Sequence, residues 1–312
     1  MSGSEKQARP KIPRRALAGV LLLDKPLGLS SNDALTRAKR LYLAKKAGHT
    51  GTLDPLATGL LPLCFGEATK FSQDLLDADK TYEATMRLGI RTTTGDAEGE
   101  ALETRDVACD EAAVIEAMKR FLGDIVQVPP MYSALKLDGK PLYEYARVGQ
   151  TVEREGRQVT IHALQMIACA LPLVIFRVTC SKGTYVRTLA EDIGEALGCG
   201  AHLTALRRAG VGALTLEHAV TLDELANLSE EERDARLRPV DALLSTFPAV
   251  QLNDEATKRF LHGQRLRLAD IATARIEAGR VRVYAQEGGR LLGVAKAGEG
   301  VLAPERLIVT AQ

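Results

Sequence analysis

Short apolar runs alternate with amphipathic stretches along the first two thirds of the chain, and this alternation predicts strands mixed with helices. The apolar runs have the length that is typical of strands in a sheet. The stretches between them place apolar residues on one side of a helix. The predicted strands cover 20–23, 60–65, 82–88, 159–167 and 173–180, and the predicted helices cover 32–44, 67–76, 110–123 and 184–197.

Local signals define the ends of two of these helices. Ser31 is the predicted N-cap of the helix at 32–44, because a serine hydroxyl can accept from a free amide of the first turn. Gly198 ends the helix at 184–197, since glycine readily adopts the left-handed conformation that closes a helix. The second helix therefore carries Arg187 in its first turn.

The pattern becomes shorter and richer in strands after residue 222. Residues 222–236 are charged and helical, and two prolines, Pro239 and Pro248, punctuate the linker that follows. The remaining elements are a helix near 254–261 and strands at 280–285 and 291–295. We therefore predict an α+β domain over 16–245 and a small β-rich domain over 246–312.

Composition allows a sizeable core but gives no global indication of a partner. The chain has 312 residues, 46% of them apolar, and a net charge of +1. Locally, residues 1–15 form a basic tail that we expect to be disordered. The stretch 37–46 contains five Lys and Arg residues and no acid. Because it directly precedes the loop described next, we expect it to face phosphates.

Several classes of protein are disfavoured. The five cysteines are scattered without ligand spacing, so we expect no metal. The longest apolar run, 166–176, is too short to span a bilayer. Arg14 and Arg15 before an apolar run imitate a signal peptide, but no small-residue cleavage site follows. We expect a cytoplasmic protein without a membrane anchor.

Residues 48–59 are the most informative stretch, reading GHTGTLDPLATG. Three glycines permit tight turns, and Pro55 biases Asp54 towards an extended conformation. An isolated Asp-Pro pair is most often a surface turn. Here the apolar residues around Asp54 would pull the loop against the core, and His49 lies five positions upstream. The loop is therefore interpreted as presenting one acid.

Arg187 needs a partner from another part of the chain. A cation in the first turn faces the positive end of the helix dipole and is disfavoured there. Its intrahelical candidate, Glu191, stands in the weaker Arg-then-Glu order. We expect an anion from elsewhere to hold this side chain; the alternative is an ordinary exposed arginine.

The stretch at 48–59 resembles the catalytic motif of the TruB family of tRNA pseudouridine synthases. Five further blocks resemble the same family and stand in its order. They read LDKPLGLSS at 23–31, GEATK at 66–70, DKTY at 79–82, PMYSALK at 130–136 and CSKGTYVRT at 180–188. The last residues, GEGVLAPERL at 298–307, resemble the end of a PUA domain, a small RNA-binding β-barrel.

The resemblance implies a pseudouridine synthase fold, with a mixed, largely antiparallel central sheet flanked by helices, and a PUA-like C-terminal domain. It implies that Asp54 is the nucleophile, that Arg187 orients it and that Tyr82 stacks on the base. The substrate-binding residues that it suggests are His49, Tyr82, Tyr185, Leu206, Lys70 and Lys136. Without the resemblance, Tyr82 and Leu206 are ordinary core residues and His49 a structural histidine.

The implied reaction isomerises a uridine of the tRNA T-loop to pseudouridine, and it needs no cofactor or metal. The implied partner is tRNA, contacted at the T-arm by an RNA-clamping insertion at 127–157 and in the acceptor region by the C-terminal domain. A monomer is expected, and little of the insertion is expected to be buried. Two alternatives stay open: a guide-RNA-dependent pseudouridine synthase and a tRNA-binding or folding chaperone on the same scaffold. A carboxylate glycosidase would need a second acid, which nothing in the sequence marks.

Overall fold

The computed structural model describes residues 13–271 and 276–308. Its strands, in chain order, are β1 (Gly19–Lys25), β2 (Ala47–His49), β3 (Ala57–Phe65), β4 (Lys80–Leu88), β5 (Ile90–Thr92), β6 (Ala101–Thr104), β7 (Gly123–Gln127), β8 (Lys136–Leu137), β9 (Lys140–Pro141), β10 (Arg157–Ala170), β11 (Leu173–Cys180), β12 (Ala201–Val211), β13 (Leu214–Thr215), β14 (Ala249–Leu252), β15 (Leu266–Arg267), β16 (Gly279–Ala285), β17 (Leu291–Gly298) and β18 (Val301–Leu307). Its α-helices are α1 (Ser31–Leu41), α2 (Ser72–Leu76), α3 (Glu111–Lys119), α4 (Leu142–Arg147), α5 (Val186–Ala196), α6 (Leu222–Asn227), α7 (Glu230–Ala235), α8 (Asp254–Leu261) and α9 (Leu268–Ile271). Short 3-10 helices cover Gly66–Phe71, Leu216–His218, Val240–Leu244 and Glu287–Gly289.

A nine-stranded sheet forms the larger part of the molecule. Its main path runs β1-β3-β12-β4-β11-β10-β7, with β2 paired to β3 and β13 to β12. Only the pairing of β12 with β3 is parallel among these ladders; the other pairs are antiparallel. The predicted mixed, largely antiparallel sheet is thus confirmed. Because β3, β12 and β4 are neighbours, the Asp54 loop, Leu206 and Tyr82 meet near the sheet centre.

Strand β1 is buried on both faces, which explains its continuous apolar run. Leu21 and Leu23 pack with α1 and α6 on one side of the sheet. Val20 and Leu22 pack on the other side with the segment Gly66–Leu76 and with Leu243 and Leu244. A further core lies between α3, α5 and the outer face of β4, β10, β11 and β12.

The C-terminal strands form a separate five-stranded sheet that curls into half a barrel. Its order is β14-β16-β17-β18-β15. Most of its buried residues, including Phe260 of α8, form a core of their own. Val294 of β17 is an exception, because it is fully buried in the cluster that contains Leu60, Phe71 and Leu75. The two sheets therefore share a hydrophobic contact.

Two expectations about local structure need correction. Ser30, and not Ser31, is the N-cap of α1, and its side chain accepts from the Asp33 amide. The helix predicted at 67–76 is a 3-10 helix followed by α2. In the region 127–157 little is buried, as expected; Ser133 and Leu142 of α4 are among the few buried residues.

Most of the predicted basic tail, residues 1–12, lies outside the described residues. Its last member, Arg15, belongs to the folded part. The Arg15 amide donates to the Leu43 carbonyl at 2.7 Å, and its guanidinium pairs with Asp234 of α7.

Candidate active site

Two segments distant in sequence hold the loop that carries Asp54. Ser31 is buried at the start of α1, and its hydroxyl accepts from the Leu53 amide at 2.7 Å and lies 3.1 Å from the Leu53 carbonyl. The Gly28 amide donates to the Pro55 carbonyl at 2.9 Å. Both residues next to Asp54 are therefore tied to the segment between β1 and α1. This use of the Ser31 hydroxyl explains why Ser30 caps the helix instead.

Arg208 of β12 holds the same loop from the other side. Its side chain is one of the largest that are fully buried. The Nε atom donates to the Leu60 carbonyl at 2.8 Å, and the two terminal nitrogens face the carbonyls of Thr52 and Gly51 at 3.5 and 3.3 Å. A buried guanidinium is tolerated here because backbone carbonyls replace water around it.

The Arg187 side chain is the centre of the charge arrangement. Its Nη2 lies 3.0 Å from Asp54 Oδ2, and its Nη1 lies 3.3 Å from Asp96 Oδ2. The same two nitrogens donate to the carbonyls of Tyr132 at 2.7 Å and Thr94 at 2.8 Å. The predicted anion from elsewhere is thus present as two carboxylates, and the pairing with Asp54 is confirmed. Four acceptors in different directions leave the guanidinium one orientation.

Asp96 is the buried one of the two carboxylates that contact Arg187. Its side chain is 2% exposed, and its second oxygen accepts from the Thr94 hydroxyl and from the Glu98 amide. An ionised carboxylate at this depth needs such partners. The positive charge of Arg187 is therefore shared between one buried acid and one acid that is 42% exposed.

Opposing influences act on the Asp54 carboxyl. Burial raises its pKa, Arg187 and Lys25 lower it, and Asp96 raises it further; the net direction is upwards. The Arg187 pair thus limits a rise that burial would otherwise cause. Because part of the carboxylate faces an open cavity, water is available to solvate the charge that Arg187 leaves unneutralised.

A cavity of about 260 Å³ opens in front of Asp54. Tyr82 of β4, Leu206 of β12 and Tyr185 at the start of α5 line it, together with Lys80 and Arg208. Burial raises the pKa of the Tyr82 phenol, and Arg208 opposes that rise. The phenol is thus kept neutral, with its ring available for contact with a planar ligand.

The backbone of Tyr185 is fixed by Gln127, which is 2% exposed. The Tyr185 amide donates to Gln127 Oε1 at 3.0 Å, and Gln127 Nε2 donates back to the Tyr185 carbonyl at 3.3 Å. Helix α5 begins without a side-chain cap, and these two bonds fix Tyr185, the residue from which the helix starts. Gln127 therefore positions both Tyr185 and the turn that carries Arg187.

His49 lies on the other side of the loop, in a second cavity of about 860 Å³. Asp54 and Arg187 line this cavity too, so the acid stands between two spaces. The His49 Nδ1 is buried without a hydrogen-bond partner. Burial, with Arg208 nearby, lowers the pKa of the imidazole. A neutral ring facing a large open cavity could donate or accept one hydrogen bond.

The two predicted substrate-binding lysines, Lys70 and Lys136, lie away from these residues. The Lys70 ammonium donates to Glu67 Oε2 at 2.6 Å and to the Leu307 carbonyl at 3.0 Å, which places it at the contact with the C-terminal sheet. Lys136 is exposed in the hairpin of β8 and β9. Neither lines the cavities at Asp54.

Sequence reasoning missed Asp96, Arg208 and two buried lysines. Lys25 donates to the carbonyls of Pro26 and Leu29, and burial lowers its pKa to about 8. Lys80 donates to the carbonyls of Leu76 and Ala78, and burial again lowers the pKa to about 8. Each lysine stands at an end of a strand, Lys25 at the end of β1 and Lys80 at the start of β4, where a solvated lysine is common, so no local signal marks them as buried.

Two further observations concern the described residues only. No cluster of three or more His, Cys, Asp or Glu side chains there could hold a metal ion. None of the helices in that part of the chain is long and apolar enough to cross a membrane.

Comparison with known proteins gives matches to three family models, which together extend from residue 39 to residue 308. The family model described as TruB family pseudouridylate synthase (N terminal domain) matches residues 39–186. The model for the tRNA pseudouridylate synthase B C-terminal domain matches 187–245, and that for Pseudouridine synthase II TruB, C-terminal, matches 248–308.

Individual relatives are similar over nearly their full length. The tRNA pseudouridine synthase B of Burkholderia mallei (strain ATCC 23344) is 78% identical over 304 residues, 97% of each chain. That of Cupriavidus pinatubonensis is 66% identical over 313 residues, 99% of each chain. Among solved structures, a Cbf5-Nop10-Gar1 complex matches with a TM-score of 0.74 and 30% identity, covering 93% of this chain and 84% of that one. An H/ACA RNP bound to a substrate RNA containing 2'-deoxyuridine matches with a TM-score of 0.73 and 28% identity, covering 94% and 85%. The chain belongs to the TruB family of pseudouridylate synthases, which are isomerases.

Proposed function

We propose that this protein converts the T-loop uridine of tRNA (U55) to pseudouridine without a guide RNA. The observation that carries the proposal is the Asp54 carboxylate, held by Arg187 and facing a cavity lined by Tyr82. Relatives at 78% identity that are named tRNA pseudouridine synthase B support tRNA as the substrate.

The reaction breaks the C1′–N1 bond of a uridine, turns the uracil over and forms a C1′–C5 bond. The hydrogen on C5 is lost and N1 gains one, so nothing is oxidised, reduced or hydrolysed. One ionised carboxylate is sufficient as nucleophile or base. Asp54 is assigned this part, whether it attacks C1′, attacks the base or removes the 2′ proton.

The remaining residues of the cavity would receive a nucleotide that has left its stack. Bases in RNA loops are the ones that proteins extract most readily. Tyr82 is assigned to stack on the uracil, and Tyr185 and Leu206 to enclose it. His49, in the adjoining cavity, is assigned to the space that the extracted base leaves.

The contacts with the rest of the tRNA are assigned by region. The insertion at 127–157, with Lys136, would grip the T-arm, and the PUA-like domain at 246–312 would reach the acceptor region. Lys70 stands beside that domain and is assigned to the same RNA surface. The catalytic domain would span 16–245, and the protein would act as a monomer in the cytoplasm.

The test is pseudouridine mapping on a T-arm transcript incubated with the purified chain alone, without guide RNA or added metal. We expect one pseudouridine, at the T-loop uridine, and an RNA of unchanged mass. Conversion only after a guide RNA is added would favour the guide-dependent alternative. Tight binding of folded tRNA without any conversion would favour the chaperone.

A further inference from the structure

One wall of the cavity at Asp54 includes Leu76, the last residue of α2, and Lys80, the first residue of β4; residues 72–80 are called the wall segment here. The Lys80 ammonium donates to the Leu76 and Ala78 carbonyls and so joins the end of α2 to β4. Asp77 pairs at 2.9 Å with Lys182, which also lines the cavity. The orientation of this segment therefore affects both the cavity width and the strand that carries Tyr82.

The wall segment cannot hold this orientation by itself. Helix α2 has five residues and no side-chain cap. A helix this short is unstable in isolation, because too few hydrogen bonds form to compensate for the ordering of its backbone. Its position must come from tertiary contacts.

The C-terminal sheet supplies contacts on the outer side. Arg280 of β16 forms an ion pair with Asp74 of α2, whose side chain is 5% exposed. Arg280 also donates to Glu305 at 2.9 Å and lies 4.9 Å above the centre of the Phe247 ring. The guanidinium is thus held by Glu305 and Phe247 on one side, and it contacts Asp74 of α2 on the other.

Further contacts lie beside this ion pair. The Lys70 ammonium donates to the Leu307 carbonyl, and Arg306 donates to the Lys70 carbonyl. Val294 packs beside Leu75 in the shared core. Of all these contacts, only the Arg280 pair is made to a buried charge on α2 itself. The second oxygen of Asp74 is buried without a partner, so this carboxylate relies on Arg280.

We infer that Arg280 and Asp74 are positioning residues for the reaction. The C-terminal sheet, through this pair, holds the wall at Leu76 and Lys80, and thereby sets the geometry around Tyr82. The sheet would then contribute to turnover even on an RNA too short to touch it. This goes beyond the assignment of the C-terminal sheet as an RNA-binding module.

Because Asp74 is buried, its substitution should partly offset the effect of Arg280→Gln, and a role of Arg280 in RNA contact would not produce this rescue. Arg280→Gln leaves the Asp74 carboxylate buried without its cation, so the wall must move to hydrate it. Asp74→Asn removes that charge. The double variant should therefore be closer to the wild type than Arg280→Gln alone. If Arg280 only touched RNA, adding Asp74→Asn would restore nothing.

The kinetic experiment measures single-turnover conversion of a saturating T-arm hairpin, and to that extent it rests on the proposed function. We expect Arg280→Gln to lower the rate by about tenfold to 100-fold, since small displacements at a reacting centre have effects of that size. The binding constant for the hairpin should change little. The double variant should recover part of the rate, because the unpaired buried charge is gone although the ion pair is still missing, and Arg280→Lys should recover part of it by keeping a cation beside Asp74. Arg267→Gln, an exposed charge on β15 of the same sheet, is the matched control and should leave the rate unchanged.

Amide hydrogen exchange of residues 72–80 gives a readout that needs no RNA. Exchange should accelerate in Arg280→Gln and return towards the wild-type rate in the double variant. Unchanged exchange together with an unchanged hairpin rate would overturn the inference. If the wild type failed to convert the hairpin, the proposed substrate would be wrong, and the exchange data would still decide whether Arg280 holds the wall. A circular dichroism spectrum and melting curve for each variant separate local change from failure to fold.

Discussion

The Arg187 side chain is 6% exposed, whereas the Asp54 side chain that it contacts at 3.0 Å is 42% exposed. One partner of the pair is thus anchored in the protein and the other faces an open cavity. The anchored partner also contacts Asp96 and two backbone carbonyls. The arrangement presents one oriented carboxylate from a rigid support, which suits the part that we propose for Asp54.

Replacing Asp54 by asparagine should abolish turnover and preserve RNA binding. The side chain keeps its size but loses its charge, so the cavity stays intact without a nucleophile or base. We expect no pseudouridine in single-turnover assays and a dissociation constant for tRNA within a few-fold of the wild type. Asp106→Asn, at an exposed loop position outside the insertion at 127–157, is the control. Turnover by carefully purified Asp54→Asn would remove Asp54 from its assigned part.

Arg187→Lys should lower turnover by at least about 100-fold although it retains the charge. A lysine ammonium cannot reach four acceptors that surround a planar guanidinium. Asp96 would lose its close cation, and Asp54 would lose its orientation. Arg177→Lys, at an exposed pair with Glu83, should leave turnover unchanged. Near-normal rates in Arg187→Lys would show that turnover does not need the Arg187 guanidinium to orient Asp54.

Two adjacent arginines of β12 should differ sharply in their effect on stability. Arg208 is buried and donates to carbonyls of the Asp54 loop; Arg207 forms a partly exposed pair with Asp24. Arg208→Met should lower the free energy of unfolding by about 2 kcal/mol or more, because charge-assisted hydrogen bonds are lost. Arg207→Met should lower it by about 1 kcal/mol or less. Urea unfolding of both variants measures the difference, and equal losses would contradict this assignment.

Glu191, on the same helix as Arg187, should make the free energy of unfolding depend on pH. Burial raises its pKa to about 7, Arg91 and Arg187 oppose the rise, and Asp192 and Asp96 add to it. Between its ordinary value of 4.5 and about 7, the folded state keeps a proton that the unfolded state has lost. The stabilisation is therefore complete below pH 4.5 and is lost as pH rises through that window.

The comparison that isolates this effect is the melting temperature of Glu191→Gln against the wild type from pH 4 to 8. The melting temperature of Glu191→Gln should rise relative to that of the wild type as pH increases, and the difference should level off above about pH 7. A difference that does not vary with pH would mean that Glu191 titrates near its ordinary pKa. Glu195→Gln, at a more exposed position on the same helix, provides the control.

Local sequence signals were sufficient for much of the architecture and for part of the site. Periodicity gave most strands of the central sheet, because strands buried on one or both faces leave a pattern within a few residues. The dipole argument at Arg187 correctly required an anion from elsewhere, since a cation at a helix start is a local anomaly. The family resemblance then named Asp54, which is one of the two carboxylates that contact Arg187.

The remaining features depended on contacts between residues far apart in the chain. Arg208 contacts Leu60 across 148 positions, and Arg187 contacts Thr94 across 93. No local pattern distinguishes such an arginine from a surface one. Asp96 sits in a polar turn that bridges to Leu203 of β12 and contacts Arg187 of α5, and both neighbours are distant in sequence. Local sequence favours Ser31 as the helix cap, because the Leu53 amide that engages its hydroxyl belongs to another segment.

Short runs of residues in the sequence were enough to indicate the family and many of the strands and helices, and to mark Asp54 as the acid that we propose for the reaction. Tertiary structure alone decided which charges surround that acid, why Lys70 lies away from it, and that the C-terminal sheet presses on the wall of the cavity. Burial and pairing of charge are properties of three-dimensional neighbours, and those neighbours come together only when distant parts of the chain pack in the folded protein.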